Sequence, residues 1–290
     1  MSPPSVVFKA FQRGAAPKYL AIFVAALLLP ALVAYLPVAA FFQEVLDRSP
    51  VGQTMANAFD SSALVDLMRE LGEPVGAGVN VGITGALIVG LFLAPALAGA
   101  AAEVARTDDA VGARELVGAA GSFYGRMLRM TFVGFLPLGL AAGLGAAVMA
   151  LVKNANAKAV LESTGTRNSN LGVFACVVLV WLAHVTIEAG RAQLAADATR
   201  TGALRAWWSG ARFAVRHFRQ VLPLCLATSL AGTLAAAILT AIRLRLPQGN
   251  GVGVAVAFLL AQLAVAAVAW GRSSTLVGLV ALLRADGERG

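Results

Sequence analysis

Six uninterrupted apolar stretches, at roughly residues 19–42, 80–102, 131–152, 171–190, 221–242 and 252–271, constrain this chain more than any other feature. A helix needs about 20 residues, rising about 1.5 Å each, to cross the hydrocarbon core of a bilayer. Each stretch reaches about that length. Lipid offers no partner to a free backbone N–H or C=O, so such runs must be helices or strands of a closed barrel. No alternating ten-residue pattern argues for the barrel. The expected fold class is all-α: a polytopic membrane protein with six transmembrane helices in one integral membrane domain over residues 1–290.

Composition agrees and excludes other classes. Of 290 residues, 59% are hydrophobic and 13% charged, against roughly 45–50% and about 25% in soluble globular chains. Disordered, collagen-like and disulfide-stapled chains do not have this profile. The formal charge of +8 is accounted for by topology. With the N-terminus in the cytoplasm, sixteen of the 23 Lys and Arg fall on the cytoplasmic side and seven opposite. The fifteen acids divide almost evenly, so the whole basic excess is a positive-inside signal. Both termini are expected in the cytoplasm, with no nucleic acid partner. The first run, after Lys9, Arg13 and Lys18, exceeds the about 7–15 residues of a signal-peptide core and reads as a retained span. Cys176 and Cys225 fall inside spans, which argues against a structural disulfide.

The chain also repeats itself. The second span ends Glu103-Val104-Ala105-Arg106, the fourth Glu188-Ala189-Gly190-Arg191 and the sixth Ala269-Trp270-Gly271-Arg272. After the first two of these comes a stretch of similar length and then a helix opening Phe135-Leu136-Pro137-Leu138 or Val221-Leu222-Pro223-Leu224. Three hairpin repeats are expected, each a cytoplasmic-side segment followed by two spans. The segments would be 5–18, 107–130 and 192–219, and amphipathic helices are expected within 107–130 and 192–219.

The clearest amphipathic helix is Leu204 to Arg219. At about 100° per residue, Arg205, Arg212, Arg216 and Arg219 share one side, and Leu204, Trp207, Ala211, Ala214, Val215 and Phe218 the other. One reading is an interface helix with Trp207 and Trp208 at the headgroup boundary and the arginines on anionic lipid. The other is a connector packed on the bundle. The loop around 43–78 is expected outside the cell, with Asp60 capping a short helix over Leu64 to Leu71.

Polar side chains inside the spans stand out because hydrocarbon penalises them. His184, Glu188 and Arg191, at i, i+4 and i+7, form one stripe near the cytoplasmic end of the fourth span. The stripe reads first as a packing network; the alternative is an ion-binding or proton-linked site, since histidine titrates near neutral pH. Glu103 and Arg106 repeat the charged pair on the second span, without a histidine. Thr228, Ser229, Thr233, Thr240 and Gln262 read as interhelical hydrogen-bonding groups, and Gly139 with Gly143 as a weak G-x-x-x-G.

Catalytic signatures are missing: there is no G-x-S-x-G, H-E-x-x-H, P-loop or dinucleotide fingerprint. Neither catalysis nor a cofactor nor a metal is expected.

The run Arg200-Thr201-Gly202-Ala203-Leu204-Arg205-Ala206-Trp207, continuing through Arg216-His217-Phe218-Arg219-Gln220-Val221-Leu222 into a new helix, resembles poorly characterised six-helix bacterial inner-membrane proteins. It is similar too to the membrane domain fused to some glycerophosphoryl diester phosphodiesterases. The resemblance is one of hydropathy and repeat rhythm. It implies a bacterial inner-membrane bundle and carries over no catalytic residue. The function expected is a non-enzymatic scaffold or accessory subunit acting through anionic membrane lipids and membrane protein partners, because only the fourth span shows a clear polar stripe; the alternative is a carrier or channel for a small solute or lipid at His184, Glu188 and Arg191.

Overall fold

A computed structural model describes residues 3–46, 72–107, 109–157, 161–197, 199, 202–246 and 251–288. All regular structure among them is helical. The helices are α1 (Pro3–Gly14), α2 (Pro17–Leu46), α3 (Gly72–Arg106), α4 (Ala113–Asn156), α5 (Glu162–Ala196), α6 (Ala203–Arg216), α7 (Phe218–Arg245) and α8 (Gly251–Gly287). Six of them, α2, α3, α4, α5, α7 and α8, are long and apolar enough to span a membrane. The protein is therefore an all-α, multi-pass membrane protein. The helix expected from Asp60 lies outside the described residues.

Surface chemistry follows the same logic. Leu87 is 69% exposed and Phe174 67%, and bulky apolar side chains stand outward along every long helix. In water an apolar surface this extensive would drive association. In lipid it costs nothing, because acyl chains are as apolar as leucine.

Two element boundaries differ from the expectation. The segment 107–130 is not a separate helix: residues 113–130 are the first turns of α4, whose 44 residues make a rod of about 66 Å, twice the hydrocarbon thickness. Its start is marked by Glu115, whose carboxylate accepts a 2.8 Å hydrogen bond from the Gly112 N–H, a reach-back that satisfies an otherwise orphan donor. No glycine or proline interrupts Arg126 to Val133, so the helix runs on into the apolar stretch. The segment 192–219 divides instead. Residues 192–196 finish α5, α6 occupies 203–216, and the break falls at His217, where φ −107° and ψ 30° leave the helical region. His217 stacks on Phe213 at 4.8 Å and lies 3.2 Å from Asp286 of α8. Arg219 consequently belongs to the first turn of α7, not to α6.

The chain divides into two compact units. One holds residues 1–19, 95–234 and 268–290, hence all of α1, α4, α5 and α6 with parts of the other helices. The other holds 20–94 and 235–267, the remainder of α2, α3, α7 and α8. In the second unit α2 and α3 approach so closely that a methyl on Gly82 would sit 2.7 Å from the Ala34 carbonyl oxygen.

Most buried side chains belong to the first unit, including Tyr19, Leu116, Met127, Met130, Leu194 and Leu224. In it α1 lies on α8: the Trp270 indole donates to the Phe11 carbonyl at 3.0 Å and the Ser273 hydroxyl to the Gly14 carbonyl at 2.7 Å. The C-terminal carbonyls of α3 are met by guanidinium groups. Arg13 donates to the Val104 and Thr107 carbonyls, and Arg284 to that of Arg106 at 2.7 Å. Cations there satisfy orphan acceptors and complement the negative end of the helix dipole.

Candidate functional site

α6 lies against the last turns of α5 through a stripe of small residues. Ala203, Ala206, Gly210 and Phe213 form its buried face. A methyl on Gly210 would sit 2.5 Å from both the Ala189 carbonyl carbon and the Gly190 nitrogen, and one on Gly190 would sit 2.9 Å from the Trp207 Cα. Only glycine permits backbones to approach this closely. Trp207 is half-buried, and its indole N–H donates to the Thr186 hydroxyl of α5 at 3.1 Å. Trp208, Arg205, Arg212 and Arg216 are exposed on α6, as is Arg219 on α7. The Arg212 guanidinium lies 6.0 Å from the Trp208 ring centroid.

The charged stripe of α5 lies on the other side of that helix, since Glu188 is two residues, about 200° around, from both Thr186 and Gly190. Glu188 and Arg191 are 5% and 8% exposed, and Arg191 Nη1 donates to Glu188 Oε1 at 2.6 Å. His184 Nε2 lies 3.4 Å from the same oxygen, so one carboxylate oxygen serves both neighbours. Arg191 Nε is buried with no partner among the described residues. Removing two ions from water costs several kcal/mol each in order-of-magnitude terms, and a close, hydrogen-bonded pair recovers much of it. The intrahelical i, i+3 spacing places the partners before any tertiary contact forms.

His184 and Glu188 also face a cavity of about 260 Å³ between α5, α7 and α8, all of it within the first unit. Trp181 and Val185 complete the α5 wall, Cys225 and Gly232 stand on α7, and Val268 and Arg272 on α8. The walls are mostly apolar, and two of the three lining hydroxyls, those of Thr233 and Thr275, are hydrogen-bonded within the protein. Thr228 and Thr275 bond each other at 2.7 Å across α7 and α8, and Thr233 donates to the Ser229 carbonyl at 2.7 Å. Arg272 is exposed and lines the cavity, which puts it at the rim. Among the described residues, its guanidinium has no carboxylate within ion-pair distance.

Sequence spacing therefore brings together His184, Glu188 and Arg191, and the tertiary structure adds Trp181, Cys225 and Arg272 from three helices. Arg272 carried one signal, as the arginine closing the sixth span, but nothing in the sequence tied it to His184. Cys176 points elsewhere, toward the Gly145 carbonyl of α4 at 3.5 Å, and both cysteines are free. Glu103 and Arg106, at the end of α3, stand apart from this cavity. They pair at 3.2 Å, with Glu103 18% and Arg106 38% exposed at the side chain, while Arg106 and Arg126 both lie over the Phe123 ring. A methyl added to Gly139 or Gly143 would meet nothing within 4 Å, so among the described residues no other helix approaches this G-x-x-x-G closely. Among the same residues no cluster of three or more His, Cys, Asp and Glu could hold a metal.

No protein-family model, no curated protein and no solved structure matches the chain, so the chemistry of this site rests on its own residues.

Proposed function

We propose that this multi-pass membrane protein is a non-enzymatic carrier that binds a small solute in the cavity between α5, α7 and α8. The observation that carries the reading is the cavity itself: about 260 Å³, apolar-walled, with His184, Glu188 and Arg272 converging on it. That volume lies just under the range of about 300–1,000 Å³ typical of ligand sites, and the cavity shares their combination of apolar walls with a few convergent polar groups. Ionisable side chains at membrane depth are costly enough that function is the default explanation for keeping them. Purely structural glue would not require His184, which is half-exposed on the cavity rather than buried against a helix.

The carrier sits with both termini cytoplasmic, an orientation supported by the sixteen-to-seven bias of its basic residues, in the bacterial inner membrane that the resemblance implies. The exposed arginines of α6 then face the anionic leaflet, where each contributes about 1 kcal/mol of attraction. A scaffold or accessory role for the same chain is the competing reading, favoured by the exposed Trp208 and arginine face of α6, which is open to lipid or a protein partner.

Proteoliposomes incubated in a metabolite extract, followed by mass spectrometry of their lumen, separate the two. Wild type accumulates at least one compound that a cavity-filled variant, His184→Phe with Ser229→Phe, does not. Equal accumulation by both, with the variant intact by size exclusion and thermal denaturation, overturns the carrier in favour of the scaffold.

A further inference from the structure

The charges around the cavity do not balance, and the imbalance points to a class of ligand. Among the described residues Glu188 is the one acid lining it, and Arg191 already holds that carboxylate at 2.6 Å. Arg272 is within electrostatic range of Glu188 but has no carboxylate at ion-pair distance among those residues. With the Glu188–Arg191 pair neutral, a net positive charge remains at the rim. The lining hydroxyls of Thr233 and Thr275 are bonded within the protein, and Ser229 supplies a neutral hydroxyl beside them.

Away from that rim the walls are apolar. Trp181 on α5 lies seven residues before Glu188, about 10 Å along the helix. Val268 on α8 lies one turn before Arg272. One end of the cavity thus carries the Arg272 guanidinium, and the other is faced by an indole and an aliphatic side chain. A guanidinium fork matches carboxylate or phosphate oxygens bidentately, and an apolar slot of this volume suits one alkyl chain.

We infer that the cavity takes the tail of a single-chain anionic amphiphile, with Arg272 receiving its carboxylate or phosphate head. This rests on the reading of the cavity as a binding site and names what fills it. Glu188 then has a second role: its charge holds Arg191 and keeps a second guanidinium from the head, so that Arg272 alone sets the position of the ligand.

Photo-crosslinking to the full-length protein in detergent tests this, using a diazirine-tagged medium-chain alkyl carboxylate, the matching alkyl phosphate and the matching alkyl alcohol. The carboxylate or the phosphate should label peptides containing Trp181 or Val268, and whichever labels more strongly identifies the head. Labelling should fall on the order of tenfold in Arg272→Gln, the loss expected of a charge-assisted hydrogen bond, and recover in part in Arg272→Lys, which keeps the charge but not the fork. The alcohol should label wild type weakly and be indifferent to both substitutions. Alcohol labelling of these peptides in wild type as strong as that by either anion overturns the inference without any variant, while leaving the cavity as a binding site. Labelling confined to outward-facing peptides overturns both readings.

Discussion

The ends of α3 and α5 carry the same local chemistry, Glu-x-x-Arg, and meet opposite fates. On α5 the pair is buried at 2.6 Å. On α3 it is half-open at 3.2 Å. The difference lies in which elements stand on the charged face. On α5, Glu188 faces α7 and α8 across the cavity and lies within electrostatic range of Tyr19 and Cys225, while α6 packs at Gly190 on the other side of the helix. α4 presses on α3 at Gly99, one turn before Glu103, where an added methyl would meet the Phe123 Cβ at 3.0 Å and the Ala119 carbonyl at 3.1 Å. The pair on α3 is left beyond the contact. The same offset explains the missing histidine: the position four residues before Glu103 is Gly99, packed too tightly for a ring, whereas four residues before Glu188 the chain faces a cavity and carries His184. An ion pair of fixed spacing becomes structural, exposed or part of a binding site according to what lies over it.

The contrast is sharpest under removal of one partner. Arg191→Ala strands the Glu188 carboxylate in a buried site and should cost about 3–5 kcal/mol, read as a large drop in the thermal denaturation midpoint in detergent. Replacing Glu188 and Arg191 together by leucine should recover most of that loss, because no uncompensated charge remains. A double variant as unstable as the single would mean that the pair organises the helix end beyond its electrostatics.

The close contact of α6 with α5 is tested separately. Gly210→Ala drives a methyl into the α5 backbone and should cost about 1–3 kcal/mol, with greater proteolysis between α5 and α6. An unchanged midpoint and cleavage pattern would contradict the close approach.

Trp207→Phe should have a smaller effect, about 1 kcal/mol, by removing the indole hydrogen bond to Thr186. Thr186→Val should match it and add little when combined with it, and additive losses would show that the two groups do not interact.

Least affected should be the open pair. Glu103→Gln should change stability by less than about 1 kcal/mol, as exposed ion pairs do, and that little should vanish in high salt. A loss as large as that of Arg191→Ala would end the comparison.

Much of this architecture was legible in the linear chain. Six spans followed from length and apolarity, because lipid leaves a backbone no choice but the helix, and each falls within a long helix. The stripe His184, Glu188, Arg191 followed from a spacing of four and three on a 3.6-residue turn. Helix continuity was less legible. Residues 113–130 read as a separate segment yet continue into α4, and the break at His217 coincides with contacts to Phe213 and Asp286 that lie one turn and a whole helix away.

What the amino-acid order settled by itself was therefore whatever depends on one helix and its solvent: the spans, the pairing of Glu188 with Arg191, the small-residue positions able to let backbones meet. Tertiary structure alone decided which Glu-x-x-Arg is covered and that Arg272 and Trp181 share a cavity with His184. Lipid acts alike on every apolar helix and cannot choose its neighbour. That choice is made by side-chain shape at helix crossings, where a single methyl at Gly190, Gly210 or Gly99 would separate the partners.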